Sequence, residues 1–378
     1  MNKKGGYGWL ACVLLEIAGC AGPSTSDSTN ITDSGWHLTS TESLSDITSS
    51  EEGGGARPEI LYFNDQFPMI YRDTSATNGS FRLKVLDSSL NLTGMEKTLV
   101  VTDDDGGVTD IRADDDGTFV YAAYEKAVTG GRNLFLTKYD ASFETVATTQ
   151  VATTEGGGKG VEMLDDPEIA VVDHLVQVIT KIGIDSDEPQ YRVREFDLDL
   201  IPTGNTWDVS TGLDVGLGGV NSILSVDNFF YMVTTVHISG PAVGPNANQN
   251  TDNDLVVLKY NADWTSTGFQ KIIADDSNVD FYPTGFKYVD GKFYVAYAVT
   301  DNPQIGDPSG ASQEGGGTLY LKVLDSDLNE LTKTEINTGR TDGKHPTLTI
   351  VGDKIYVTYG EGGTDSNLRL KVYQLSEN

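Results

Sequence analysis

Thr318–Gly360 reads "TLYLKVLDSDLNELTKTEINTGRTDGKHPTLTIVGDKIYVTYG", and its opening has a counterpart at Phe81–Asn91, "FRLKVLDSSLN". The same phrase, a strand running into a turn, returns as "LFLTKYD" from Leu134, "YRVREFD" from Tyr191, "LVVLKYN" from Leu255 and "LRLKVYQ" from Leu368. Each copy follows a hairpin pattern, in which two apolar, β-branched and aromatic runs are joined by a short turn. In the opening stretch the hairpin is "HPTLTIVGDKIYVTY" from His345; the others are "RPEILYFNDQFPMIY", "TDIRADDDGTFVYAAY", "DPEIAVVDHLVQVIT", "VNSILSVDNFFYMVT" and "YPTGFKYVDGKFYVAY". Asn-Asp, Asp-Gly and Gly-Asp at the joints supply the positive φ that tight hairpins need. All copies but the last are followed by a weaker strand, such as "EKTLVVT" or "TKTEINT".

Six copies of a four-strand phrase, at a period of roughly 50–65 residues and with no helical periodicity, read as an all-β repeat fold. Over Arg57–Asn378 the pattern resembles the six-bladed β-propellers, with four-stranded blades starting near Arg57, Thr109, Asp166, Val220, Tyr282 and His345. The resemblance is one of architecture. The Asp-box of sialidases and the Trp-Asp, kelch and Tyr-Trp-Thr-Asp signatures are absent. The sixth copy has no outer strand of its own. The resemblance implies that a segment from the other terminus completes it, and "WHLTS" at Trp36–Ser40 is expected to pair beside Leu368–Leu375.

The N-terminus carries a different message. Lys3 and Lys4 precede the apolar run "YGWLACVLLEIAG", which has signal-peptide length. "IAGC" at Ile17–Cys20 resembles a prokaryotic lipoprotein signal, and that resemblance implies removal of residues 1–19 and lipidation of Cys20. Ala21 follows the cysteine, so the family's sorting rule directs the protein to the outer membrane where the host has one. Residues 20–56 are rich in Ser, Thr, Asp and Gly and read as a flexible tether. The expected protein is exported and anchored in the cell envelope. Cys12 and Cys20 are the only cysteines, so the remainder of the chain forms no disulfide.

Asp and Glu outnumber Lys and Arg by 56 to 26, for a net charge of -30. That disfavours bare nucleic acid as a partner and leaves cations, basic partners and neutral glycans. Asp103, Asp104, Asp105, Asp275 and Asp276 stand in acidic runs that offer weak calcium candidates, without EF-hand spacing. No cofactor is implied beyond that.

Recurrence separates scaffold from site. Tyr71, Tyr124, Tyr297 and Tyr359 end the second strand in four copies, and Asp87, Asp140, Asp197 and Asp325 close the third strand, so both sets read as scaffold. The copies disagree at the start of the inner strand, just before a recurring proline. There stand Arg57, Asp110, Asp165, Asp166, Asp280, Tyr282, Lys344 and His345, with Arg112 just inside one strand. They are the candidate ligand-binding residues and are expected to ring one mouth of the central channel, on the face that also carries the long polar loops.

The leading expectation is a lipid-anchored envelope protein that binds a glycan or protein partner through its long-loop face. One alternative is a carbohydrate-active enzyme, hydrolase or lyase, using channel-mouth carboxylates. The other is a scaffold subunit of an envelope assembly. Few arginines stand at the mouth, which weakens acid-sugar chemistry and leaves no catalytic residue assigned.

Overall fold

In the computed structural model, the described residues are 35–44, 47–48, 56–73, 79–100, 108–128, 131–155, 162–182, 191–209, 222–237, 253–274, 280–300, 317–338, 343–361 and 367–377, all within the unit Gly35–Asn378. They form twenty-four strands in six antiparallel four-stranded sheets. Strand β1 (Trp36–Leu44) stands apart in sequence from the sheet it joins. Blade 1 is β2 (Ala56–Ile60), β3 (Gln66–Asp73), β4 (Ser80–Asp87) and β5 (Leu92–Val100). Blade 2 is β6 (Val108–Asp115), β7 (Val120–Val128), β8 (Gly131–Tyr139) and β9 (Thr145–Glu155). Blade 3 runs β10 (Glu162–Val172), β11 (Leu175–Ile182), β12 (Tyr191–Asp197) and β13 (Pro202–Val209). Blade 4 runs β14 (Ser222–Val226), β15 (Phe229–His237), β16 (Asn253–Asn261) and β17 (Ser266–Ala274). Blade 5 is β18 (Asp280–Val289), β19 (Lys292–Thr300), β20 (Thr318–Leu324) and β21 (Glu330–Glu335). Blade 6 is β22 (Gly343–Val351), β23 (Lys354–Glu361) and β24 (Asn367–Glu377), with β1 as its outer strand.

The six inner strands touch in a closed cycle, β2 to β6, β10, β14, β18, β22 and back to β2. This is a six-bladed β-propeller, as the repeat predicts. Its apolar core is divided into six clusters, each shared by two successive blades. The scaffold tyrosines lie in these seams, with Tyr71, Tyr124, Tyr297 and Tyr359 all buried. Burial of such rings is what holds blade to blade, at about 25 cal/mol for each Å² of apolar surface removed from water.

The recurring aspartates close a five-residue turn between the third and outer strands. Asp87 Oδ1 accepts from the Ser89 and Asn91 amides, both at 2.9 Å, and Asp140, Asp197 and Asp325 repeat the arrangement. The bonds hold Leu90, Phe143, Leu200 and Leu328 in the left-handed region, at φ of 56–64°. Each strained residue is buried, which offsets the backbone cost.

A second recurring device was hidden in the "LKV" of the repeat. Lys84 Nζ donates to the Ile47 carbonyl at 3.2 Å, and Lys322 and Lys371 likewise donate to the carbonyls of Ile273 and Ile336. In every case a third-strand lysine reaches the end of the preceding blade's outer strand. Burial lowers the Lys322 and Lys371 pKa values from the ordinary range.

Closure follows the expectation and extends it. Strand β1 pairs antiparallel with β24 from Trp36↔Glu377 to Leu44↔Leu370, nine residues where the sequence pattern marked five. Only its ends and Leu38 are partly covered, because an outer strand buries one face lightly and leaves one edge to water. Beyond it the Ile47 amide donates to the Leu368 carbonyl at 3.1 Å and the Leu368 amide to Thr48 Oγ1 at 3.0 Å. Ile336 and Asn337 hold Leu319 in blade 5 in the same way. "IT" at Ile47–Thr48 is therefore the counterpart of "IN" at Ile336–Asn337.

A chain beginning at Ser49 should melt about 10 °C or more below one beginning at Gly35, by calorimetry, because it exposes the β24 edge and strips Lys84 of its carbonyl partner. Equal melting temperatures would show that β1 does not close the ring.

Candidate functional site

Inner strands run from one face of the disc, the loop face, to the other, the turn face. All hairpins between first and second strands and all Asp-closed turns lie on the turn face. Second and outer strands end, and third and inner strands begin, on the loop face. These ends are pinned in blades 1, 2 and 6 by ion pairs across the second and third strands. Asp73 pairs with Arg82 at 3.1 Å, Glu125 with Arg132 at 2.5 Å and Glu361 with Arg369 at 2.9 Å, and each carboxylate is buried.

At the loop-face start of five inner strands the ladder slips. Register shifts fall at Ala56/Glu59, Val108/Ile111, Met163/Glu168, Pro283/Gly285 and Lys344/Thr347. Pro58, Pro167, Pro283 and Pro346 sit in four of them, where an absent N–H would break the ladder anyway. The predicted site residues Arg57, Asp110, Asp165, Asp166, Asp280, Tyr282, Lys344 and His345 occupy these strand starts in β2, β6, β10, β18 and β22. Only the His345 side chain is among those described; it is half-buried, on a backbone with φ 43°. A non-glycine residue in that region ahead of a proline is strained, and the bulge around it holds the conformation. The calcium candidates Asp103, Asp104, Asp105, Asp275 and Asp276, and the lipidation candidate Cys20, lie outside the described residues. Among the described residues, no three His, Cys, Asp or Glu side chains are grouped to hold a metal ion.

The glycine of "DGKHP" has a packing role. Gly343 and Gly317 exchange two backbone hydrogen bonds, and a Cβ on Gly343 would come within 2.5 Å of Leu319 Cγ and Asn337 Nδ2. Blade 6 thus starts pressed against blade 5.

One or two residues deeper, the channel holds a constellation that repeat-by-repeat reading misses. Arg112 Nη1 donates to Glu59 Oε1 and Arg112 Nε to Glu168 Oε1, both at 2.9 Å. One guanidinium from blade 2 thereby ties the inner strands of blades 1 and 3, and all three side chains are at most one-tenth exposed. Glu59 and Glu168 each follow the recurring proline, as "PE", and Arg112 takes the corresponding place in a blade without it. That shared position was the available signal. Ser222, Gly285 and Thr347 bring the other three blades to the axis. Thr347 Oγ1 donates to the Pro58 carbonyl at 3.0 Å, and a Cβ on Gly285 would come within 3.1 Å of the Leu348 amide nitrogen.

A polar cavity of about 50 Å³ remains around them, bordered by Asp114 and Lys287. It has room for a few water molecules and is far below the size of sites that enclose a sugar. Burial raises the Glu59 carboxyl from 4.5 to about 7, against the pull of Arg112 and Lys287. Burial, reinforced by neighbouring Asp114, also raises Asp115 to about 6.

A carboxyl raised in the folded state contributes its stability in full below its unfolded value, and that contribution is lost as pH rises through the folded value. The Glu59 contribution should therefore fade between about pH 4.5 and pH 7. Glu59→Gln should remove this slope, worth up to about 3 kcal/mol, in denaturant titrations across that window. Arg112→Ala should cost about 3–5 kcal/mol because it strips two buried carboxyl groups of their shared guanidinium. A Glu59→Gln pH profile parallel to wild type would contradict the assignment.

No protein-family model and no curated protein matches the sequence. Solved structures do match in fold. A protein of unknown function from Dyadobacter fermentans superimposes with TM-score 0.60 at 9% identity, over 90% of this chain and 99% of that one. The α-L-arabinanase of Penicillium chrysogenum, solved with arabinobiose, gives 0.57 at 12% identity, over 88% and 99%. A member of the duf4221 family from Bacteroides vulgatus gives 0.54 at 11% identity, over 92% and 100%. At such identities the likeness shows the six-bladed fold.

Proposed function

We propose that this is an exported protein, lipid-anchored at Cys20 in the cell envelope, whose propeller binds a glycan or a protein partner through its loop face. Where the host has an outer membrane, that is the anchoring site. The observation that carries the reading is the contrast between the two parts of the axis. Deep in the channel the Glu59–Arg112–Glu168 bridge leaves a cavity of only about 50 Å³, whereas five of the six loop-face strand starts are bulged and the residues there differ from blade to blade. Recognition by surface groups fits that contrast better than engulfment of a substrate. The described carboxylate pair in the channel is committed to one guanidinium, so it does not present the two independent groups that glycoside cleavage uses.

The topology supports presentation as well. Strand β1 begins and β24 ends on the turn face, so the described chain starts on the side opposite the loop face. A glycan is favoured among ligands by the neighbouring fold of the Penicillium enzyme, which holds arabinobiose, and by the poor fit of a -30 chain to polyanions.

Two measurements test this. Cys20→Ala should move the expressed protein from the membrane fraction to the soluble one; unchanged membrane association would exclude the anchor. On a glycan array with a parallel hydrolysis screen, Arg57→Ala and Asp166→Ala should each weaken binding at least about tenfold without lowering the melting temperature. Binding that ignores both substitutions would place the site elsewhere, and turnover that depends on them would favour the carbohydrate-active enzyme.

A further inference from the structure

The outer strands of a propeller leave one edge of unpaired N–H and C=O groups, and five of the six here are blunted. In β5, β13 and β17 a Thr-Gly pair kinks the strand near its start, with Gly94, Gly204 and Gly268 at φ of 81°, 91° and 76°. The preceding threonine locks each kink, since Thr93, Thr203 and Thr267 donate to third-strand carbonyls at 3.1, 3.3 and 2.8 Å. These strands also carry charge, in Glu96, Lys97, Asp208 and Lys271. Strands β21 and β1 lack the Thr-Gly pair but are bulged and charged, with Glu330, Lys333, Glu335 and Glu42. Such devices discourage edge-to-edge pairing.

Strand β9 is bulged at Val146 and Val151 but lacks the Thr-Gly pair, and its one charge is the terminal Glu155. Val146 and Ala147 replace Thr-Gly, and "TVATTQVATT" from Thr145 to Thr154 contains no charge, proline or glycine. It is an eleven-residue strand whose inner edge pairs with β8 from Tyr139↔Thr145 to Gly131↔Glu155, and no described strand pairs with its outer edge. Val146 is 52% exposed. Thr148, Gln150 and Thr153 are exposed with it.

We propose that β9 pairs antiparallel with β9 of a second copy of this chain, joining two four-stranded blades into one eight-stranded sheet across a two-fold axis. A second copy fits for two reasons. Two chains of charge -30 repel over most of their surfaces, and the uncharged stretch Thr145–Thr154 of β9 is where they approach at least cost. A strand of threonine, valine and alanine is also its own complement, giving Thr–Thr and Val–Thr cross-strand pairs on both faces of an isologous contact. One shared strand edge is a small interface, so the dimer is weak, and added salt strengthens it by screening the repulsion.

Sedimentation velocity of Gly35–Asn378, the unit that contains all twenty-four strands, tests the pairing from about 10 to 500 µM at low salt and at about 0.5 M NaCl. The expected result is a concentration-dependent dimer that tightens in salt. Gln150→Lys with Thr153→Lys should weaken it at least about tenfold by like-charge contact across the axis. The same charge placed on β5, as Leu92→Lys with Thr98→Lys, should leave it intact. Hydrogen exchange of the unmodified protein should show the amides of residues 146–153 slowing as concentration rises. A monomer under all conditions, or a dimer indifferent to the β9 lysines, overturns the proposal.

Discussion

A blade is a sheet with two apolar faces and no partner within itself, so none is stable until its neighbours lie on both sides. That constraint shapes the molecule. Each of the six core clusters belongs to two blades, and the sixth exists only if the ring closes. Tyr71 and Tyr359 are therefore equivalent in role although one sits in the first blade and the other in the last. The lysine bridges from Lys84, Lys322 and Lys371 add a directional element, since they fix how far each third strand slides against the blade before it. The salt bridges between strand ends act within blades, while the Glu59–Arg112–Glu168 bridge acts across three.

The buried bridge is not obviously a gain in stability. Three charged groups lose their water, and a guanidinium with two carboxylates regains it only in part. The rise of Glu59 toward neutrality shows that burial prevails over attraction at that site. What the bridge does provide is definition of the axis. Apolar side chains of varied length could pack there in several ways, whereas the forked donor of Arg112 accepts one placement of each carboxylate.

Much of the fold was legible in the sequence because a propeller repeats its own grammar. The Asp-closed turns, the hairpin joints and the second-strand tyrosines recur at fixed places, and each has a local physical cause. Strand β1 was only half legible. "TESL" looks like tether because an outer strand packs little apolar surface, and its identity depends on a partner about 330 residues away. The axial bridge was legible only as a shared position in three copies, for a related reason. Glu59, Arg112 and Glu168 are unremarkable singly, and only the closed circle of inner strands makes them neighbours. The candidate residues at the strand starts were visible as disagreement among copies, which marks variation without saying what it recognises.

Closure by β1 also has a bearing on time. The first strand of the ring to be made is the last able to pair, because its partner Asn367–Glu377 lies at the far end of the chain. During synthesis and any passage across a membrane, Trp36–Leu44 waits alone while five blades are completed. Contacts of such sequence separation are slow to form. The finished propeller thus records whether all six blades have arrived: a product cut short of β24 lacks that edge, leaves β1 unpaired and exposes the Phe67–Tyr356 seam between first and last blades. Quality-control proteases that read loose strands would find an unfinished ring open at a single place.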